Sequence, residues 1–298
     1  VRTRMGLGTY RCPDVRRAAA MAARCGADWL DTAPNYSAGH AEAALAPVLA
    51  RHSRVRVSTK VGFIAEADRA AAVAAGVLTQ AEAAEGHSLK PEYLCWQIAR
   101  SCRRLGRMPD LVFLHNPEHH CLPEHVNELL YTAFTVLEEA CADGQLRAYG
   151  VATWSGFSSG LFDIPTLLGA AFRAGGADHR LRAVQLPLSI VRLAPIAQAL
   201  EGSGVLADAR AAGLAVFASA PLHGGQVPEL FTPELIDLIA PGSSPAQAAL
   251  AVVGSAPGVR RVLISTGSQE HWHQAVTALD GPVLSRDQLQ RITDVLGT

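Results

Sequence analysis

Lysine is nearly absent from this chain: it occurs twice, as Lys60 and Lys90, against 24 arginines. Other scarcities exclude whole classes of function. Charged residues make up only 18% of the 298 residues and the formal net charge is −1. The chain therefore offers no basic block to nucleic acid and no polybasic face to an anionic membrane. Pairs such as Arg103-Arg104 fall within helical patterns. No apolar run reaches the ~20 residues of a membrane-spanning helix. No signal-peptide pattern opens the chain, and Val1-Arg2-Thr3-Arg4 reads as a short start open to trimming. The six cysteines, at 12, 25, 95, 102, 121 and 141, include no C-x-x-C pair. They read as free, mostly core thiols of a cytoplasmic protein. His119-His120-Cys121 is the one local cluster of metal-ligand types, and it reads as loop polarity rather than as a metal site.

What is present is a regular alternation of short apolar runs with longer helical patterns. Strands are expected at 5–9, 29–32, 55–60, 111–115, 147–152, 183–186, 215–219 and 262–265. Helices are expected at 13–25, 39–51, 90–105, 124–143, 160–174, 195–212, 244–256 and 268–279, with a last amphipathic stretch at 284–296. Ser285 followed by Asp287 and Gln288 suits the N-terminus of that last helix. Eight β/α units predict a closed (β/α)8 TIM barrel, an α/β fold, as a single domain over residues 1–298. The strands are continuous apolar runs, as parallel strands covered from outside should be. A doubly wound open sheet is the alternative, but Gly6-Leu7-Gly8-Thr9-Tyr10-Arg11 lacks the third glycine of its dinucleotide turn. One connection is abnormally long. Strand three ends at Lys60 and the next helix starts near Lys90, leaving an alanine-rich insert over 63–89. An insert after strand three lies on the catalytic face of a barrel and is expected near the site mouth.

Four polar residues fall at or just beyond strand ends: Asp31, Tyr36, Lys60 and His115. Inward groups at that rim converge on one pocket. Their chemistry is coherent. A phenol with a pKa near 10 exchanges protons poorly at neutral pH. A lysine ammonium beside it favours the phenolate, and a carboxylate behind the lysine fixes its position and charge. Arginine would keep the charge but not the compact shape, which is why a lysine surviving in this composition draws notice. A neutral histidine can hold a carbonyl oxygen near the phenol. The set suits proton donation to a carbonyl becoming an alkoxide. It holds no nucleophile–base pair for acyl transfer and no electron source, so carbonyl reduction would need a hydride cofactor.

Gly6-Leu7-Gly8-Thr9, Leu30-Asp31-Thr32-Ala33-Pro34-Asn35-Tyr36, Ser58-Thr59-Lys60-Val61-Gly62 and Phe113-Leu114-His115-Asn116 resemble the aldo-keto reductases, in order and over nearly the whole chain. The resemblance implies a (β/α)8 barrel, a nicotinamide cofactor lying across the rim, and the tetrad Asp31, Tyr36, Lys60 and His115 with Tyr36 as general acid. It further implies cofactor contacts at Gly8, Thr9, Thr153, Gln185, Ser219, Pro221, Leu222, Ser265, Thr266, Gly267 and His271. Several of these depart from the family pattern. The Ser-Asn pair that usually holds the carboxamide falls on Ala152 and Thr153. The stacking aromatic after strand seven falls on Ser219. The positive residues for a 2′-phosphate fall on Ser265 and His271, and the adenine-facing Asn falls on Ala275. Ser265-Thr266-Gly267-Ser268 still looks like a phosphate cradle at a helix start. Family habit favours NADP(H), and the missing cations leave NAD(H) open.

The expected activity is reduction of an aldehyde or ketone, or the reverse oxidation, on a small-molecule carbonyl or alcohol. Two rivals are a nicotinamide-binding regulatory subunit and a lyase or isomerase using Tyr36 for proton transfer alone. Trp154 and Trp272 suit either pocket lining or packing. His223 suits either a pyrophosphate contact or a solvated loop, and His119 and His120 stand close enough to His115 to border the site. The chain ends soon after its last helical pattern, so specificity is expected from the insert, the loop after His115 and a neighbouring copy if the protein is a homo-oligomer. An arginine- and alanine-rich composition suits a GC-rich genome and, by association, secondary metabolism.

Overall fold

A computed structural model describes residues 4–119 and 121–297. Residues 1–3 and His120, which carried two of the expectations above, lie outside the described residues. Eight parallel strands close into a barrel in chain order. They are β1 (Arg4–Gly8), β2 (Trp29–Asp31), β3 (Arg56–Val61), β4 (Leu111–His115), β5 (Tyr149–Ala152), β6 (Leu181–Pro187), β7 (Ala215–Ser219) and β8 (Val259–Ile264). β8 returns to β1 in a four-residue register from Arg4↔Arg261 to Leu7↔Ile264.

The two-residue strand period divides the apolar residues between two cores. Leu7, Leu30, Val57, Val112, Val151, Val184, Val216 and Val262 face outward and pack under the helices. Trp29, Leu111, Phe113, Ala152, Ala183, Phe217 and Leu263 fill the barrel interior. Interior bulk is made possible by small neighbours. A Cβ at Gly150 would lie 2.8 Å from the Phe113 ring and 2.4 Å from the Ala183 carbonyl oxygen. Continuing the inward period to each strand's end reaches Gly8, Asp31, Lys60, His115 and Gln185. The alternation that builds the inner core thus also delivers the polar rim.

The helices are α1 (Val15–Arg24), α2 (Ala41–Arg51), α3 (Glu66–Ala74), α4 (Gln80–Glu85), α5 (Pro91–Leu105), α6 (Val126–Ala142), α7 (Ile164–Gly175), α8 (Ala194–Leu200), α9 (Gly204–Ala211), α10 (Pro233–Ile239), α11 (Pro245–Ser255), α12 (Gln269–Asp280) and α13 (Arg286–Leu296). Asp14 and Asp163 cap α1 and α7 by accepting from Arg17 N and Thr166 N. Ser285 and Gln288 form a complete capping box on α13, in line with the sequence signal. The helix expected over 195–212 divides into α8 and α9. Gly202 and Gly204 adopt φ of 83° and 77° there, a conformation that ends one helix before the next begins. Helix α10 was not expected from the sequence. No helix among the described residues is long and apolar enough to cross a membrane.

The insert carries α3 and α4 and a small core of its own, in which Ile64, Ala72, Leu78 and Ala83 pack with Tyr93 of α5. Its roots are fixed. Phe63 and His87 form an antiparallel bridge, and Ile64 N donates to Gly86 O while Ser88 N donates to Gly62 O. Asp68, 1% exposed, receives Arg100 and Arg104 from α5 at 2.7 Å each. Gln97 of the same helix accepts from Gly62 N and donates to Phe63 O. These bonds make the insert a folded wall standing on α5.

Candidate active site

Asp31, at the end of β2, and Lys60, in β3, meet with Lys60 Nζ 2.7 Å from Asp31 Oδ2, and both side chains are almost wholly buried. Lys60 Nζ also donates to Thr32 O at 2.8 Å. Ser58 Oγ donates to Asp31 Oδ1 at 2.7 Å, and Trp29 Nε1 donates to Ser58 Oγ at 2.8 Å. The carboxylate is therefore held from both sides. Ser58 shares the inward face of β3 with Lys60, a signal the period-two pattern carries but that attention to Lys60 alone passes over.

Tyr36 follows β2 on a tight turn. Ser37 and Ala38 hold φ of 49° and 52°, a left-handed conformation costly for non-glycine residues and tolerated where surroundings enforce it. The turn sets Lys60 Nζ 4.9 Å from the Tyr36 ring centre. The His115 ring stands edge-on to Tyr36 at 6.2 Å. Burial pushes the Tyr36 phenol above its usual range, and the Lys60 charge offsets part of that. The resting phenol thus keeps its proton. Burial alone would push Lys60 down, but Asp31 and Tyr36 more than reverse this and hold the ammonium charged. His115 is held well below the usual histidine range by burial, then by Lys60, His87 and His119, so its imidazole stays neutral.

The four polar residues expected at neighbouring strand ends are thus one cluster in space. A family model for aldo/keto reductases matches residues 4–235. The chain belongs to the aldo-keto reductase family. Solved aldo-keto reductases share its fold. A thermostable aldo-keto reductase crystallised with the inhibitor epalrestat is 20% identical, with a TM-score of 0.70 over 98% of this chain and 94% of that one. An aldo/keto reductase from Klebsiella pneumoniae in complex with NADP and acetate is 22% identical, with a TM-score of 0.66 over 98% and 90%. The holo form of an aldo-keto reductase from Bacillus halodurans is 19% identical, with a TM-score of 0.69 over 99% and 92%. No curated protein matches the chain.

In this aldo-keto reductase the remaining rim residues fall into four groups. Thr9 and Thr153 are buried with their hydroxyls engaged inside the protein. Thr9 Oγ1 lies 2.9 Å from Thr32 Oγ1 and 3.1 Å from Asp31 O. Thr153 Oγ1 donates to Glu118 Oε1 at 2.7 Å. Gln185 is buried behind the tetrad, Nε2 toward Asp31 Oδ2 at 3.5 Å, with Oε1 left without a donor. Gly8, Ser219, Pro221 and Leu222 continue the rim at the ends of β1 and β7. Ser265, Gly267 and His271 are exposed at the start of α12, where Ser268 caps the helix by accepting from His271 N. Of the two tryptophans, Trp272 is 1% exposed and belongs to the core. Trp154 is 45% exposed, with Arg192 stacked on it and His223 at 6.3 Å.

Several site residues escaped the sequence. Phe63, from the insert root, stands edge-on to His115 at 4.7 Å and to His119 at 5.2 Å. His87 Nε2 lies 2.9 Å from the His115 carbonyl oxygen. Arg11, at φ 54°, brings a guanidinium nitrogen to 3.3 Å from the place of a Gly224 Cβ. Glu118 links the loop after β4 to the turn after β5. All four depend on loops meeting across the rim, which no local pattern encodes.

Proposed function

We propose that this aldo-keto reductase interconverts an aldehyde or ketone and the corresponding alcohol with a nicotinamide dinucleotide, NADP(H) first and NAD(H) also accepted. The observation that carries the reading is the buried Lys60–Asp31 pair beside a protonated Tyr36. The residues fit such a cofactor. Gln185 Oε1 is a buried acceptor awaiting a donor, and Arg11 and Arg192 bring positive charge to the mouth. Gln185 would hold the carboxamide and the start of α12 the adenosine phosphate. When bound, the nicotinamide supplies or accepts the hydride.

Tyr36 donates its proton to the substrate oxygen as negative charge develops there. Lys60 lowers the cost of the phenolate left behind, and Asp31 and Thr32 keep the ammonium in place for that moment. Neutral His115 offers an N–H to the carbonyl without competing as an acid. Phe63 and His119 form an aromatic wall beside His115 and favour an apolar substrate body. Ser265 and His271, where positive residues usually face a 2′-phosphate, leave NADP(H) only moderately favoured. The test is a panel of aldehydes and ketones with each reduced dinucleotide, followed at 340 nm. Dinucleotide oxidation coupled to alcohol formation supports the reading. Substrate conversion without a 340 nm change would point instead to a lyase or isomerase.

A further inference from the structure

The peptide bond after His115 is held at both edges. Its N–H, from Asn116, donates to Ala152 O at 2.6 Å. Its carbonyl oxygen lies 2.9 Å from His87 Nε2. A carbonyl only accepts, so Nε2 of His87 carries the hydrogen and donates. The ladder between β3 and β4 does not reach this carbonyl. Its register ends at Val61↔Leu114, one residue short of His115, and Gly62 turns its N–H away to Gln97 Oε1 at 2.8 Å. The donor comes instead from the far root of the insert, where His87, 5% exposed, bridges Phe63. This approach leaves no room for a side chain at Gly62. A Cβ there would lie 2.9 Å from His87 Nε2 and 3.2 Å from His115 O. The His115 ring has no such tie, since its Nδ1 lacks a hydrogen-bond partner among the described residues. A working imidazole is ordinarily aimed by the bond its other nitrogen makes. His115 depends instead on its backbone and on ring contacts, with Phe63 edge-on at 4.7 Å. Phe63 is also edge-on to His87, at 4.8 Å.

We propose that His87 is a positioning residue: its Nε2–H holds the His115 carbonyl and, with Phe63 edge-on to both rings, ties the insert after β3 to the imidazole that orients the substrate. This rests on the carbonyl-reduction reading above, in which His115 offers an N–H to the substrate. Fixing the peptide plane fixes the backbone rotation at His115 and so the direction in which its ring leaves the strand. Without the His87 donor the buried carbonyl would be left unpaired, and its peptide would turn toward another partner. The ring would then move relative to Tyr36, and a shift of about 1 Å in a reacting group can cost up to a hundredfold in rate. Gly62 stands two residues beyond Lys60, so the same knot joins the strand ends that carry Lys60 and His115.

Two variants separate the donor from the ring. His87→Phe keeps a ring and loses the donor, whereas His87→Gln loses the ring and keeps an N–H near the place of Nε2. The clamp is read without turnover by labelling histidine carbonyls with carbon-13 and asparagine nitrogens with nitrogen-15. His115-Asn116 is the only His-Asn peptide in the chain, so this marks one peptide bond. Single-turnover reduction and dinucleotide affinity are measured alongside. In His87→Phe the His115 carbonyl signal should shift and the rate should fall by about five- to tenfold or more, the scale of one hydrogen bond. Dinucleotide affinity should change little. His87→Gln should restore the signal and most of the rate. A purely structural His87 would lower the melting temperature of both variants without separating their rates. Should His87→Phe not fold, His87→Asn takes its place, since its shorter side chain cannot bring an N–H to the carbonyl. Equal rates in the folded donor-less variant and His87→Gln, or a carbonyl signal indifferent to loss of the donor, overturns the proposal and leaves the carbonyl-reduction reading standing. Absence of carbonyl reduction by wild type would sink both.

Discussion

Lys60 and Asp31 form a buried ion pair, Nζ to Oδ2 at 2.7 Å, with the side chains 2% and 4% exposed. A buried pair of this kind is weak evidence for stability, because desolvation offsets the attraction. Its worth lies in holding a charge beside Tyr36. Lys60→Arg keeps the charge but enlarges and displaces it. If the pair serves only structure, the arginine variant keeps its rate. If it tunes Tyr36, single-turnover hydride transfer slows by roughly 30- to 1,000-fold, about 2–4 kcal/mol. Lys60→Met should slow it at least as much, with little change in dinucleotide affinity.

The protonation states predict a lopsided pH profile. On the proposed mechanism carbonyl reduction needs Tyr36 protonated, and burial raises its pKa. Reduction should therefore persist through neutral pH and fail only in the alkaline range, while alcohol oxidation, which needs the phenolate, should gain as pH rises. The measurement is the rate in both directions across pH; an alkaline limb of the reduction rate near neutrality contradicts the assignment.

His115 gives a stability prediction with a definite sign. Its folded pKa lies well below the ordinary value near 6.5. Between the two values the unfolded chain binds more protons, so stability is complete above about pH 6.5 and declines as pH falls toward the folded pKa. Melting curves from neutral to mildly acidic pH should show this decline in wild type. His115→Gln should show a smaller acid-induced decline.

The insert should behave as a wall. Asp68→Ala removes the carboxylate that Arg100 and Arg104 share and leaves Arg104 only Glu42 at 3.9 Å, at a cost of about 2–4 kcal/mol, below the full buried-pair figure because both arginines reach solvent. Limited proteolysis should then cut within 66–86 sooner than in wild type. Equal resistance in both proteins would show that the anchor is dispensable.

Cofactor choice gives a further expectation. With Ser265 and His271 in the place of cations, NADPH should be preferred over NADH by less than about a hundredfold, since each missing charge-assisted contact is worth about 1.5–3 kcal/mol. Fluorescence titration with both decides it. Ser265→Arg should widen the gap about tenfold. Nanomolar NADPH binding with no detectable NADH binding would mean that the phosphate is held elsewhere.

The sequence displays what strand periodicity can carry. Asp31, Lys60 and His115 stand at the ends of alternating runs, so their inward direction follows from the two-residue period. Tyr36 follows β2 so closely that its place at the rim is nearly forced. Ser58 lay within reach of the same argument. Gly202 and Gly204 marked the break between α8 and α9, hidden by a continuous helical pattern on either side. Glu118, Arg11, Phe63 and His87 were illegible for a different reason. Each acts through a loop whose partner is set by tertiary closure, and Glu118 is three residues past His115 with no spacing rule to single it out. The alanine-rich insert was legible as an overlong connection after β3, but its anchoring at Asp68 depends on α5 arginines more than thirty residues away.

The most direct test of the account is Tyr36→Phe, which removes the proton donor and keeps the ring. The variant should fold, bind the reduced dinucleotide as wild type does, and lose single-turnover carbonyl reduction by about two to four orders of magnitude. Reduction at near wild-type rate by a folded, dinucleotide-bound Tyr36→Phe would contradict the assignment of Tyr36 as the acid and, with it, the mechanism built on Lys60 and Asp31.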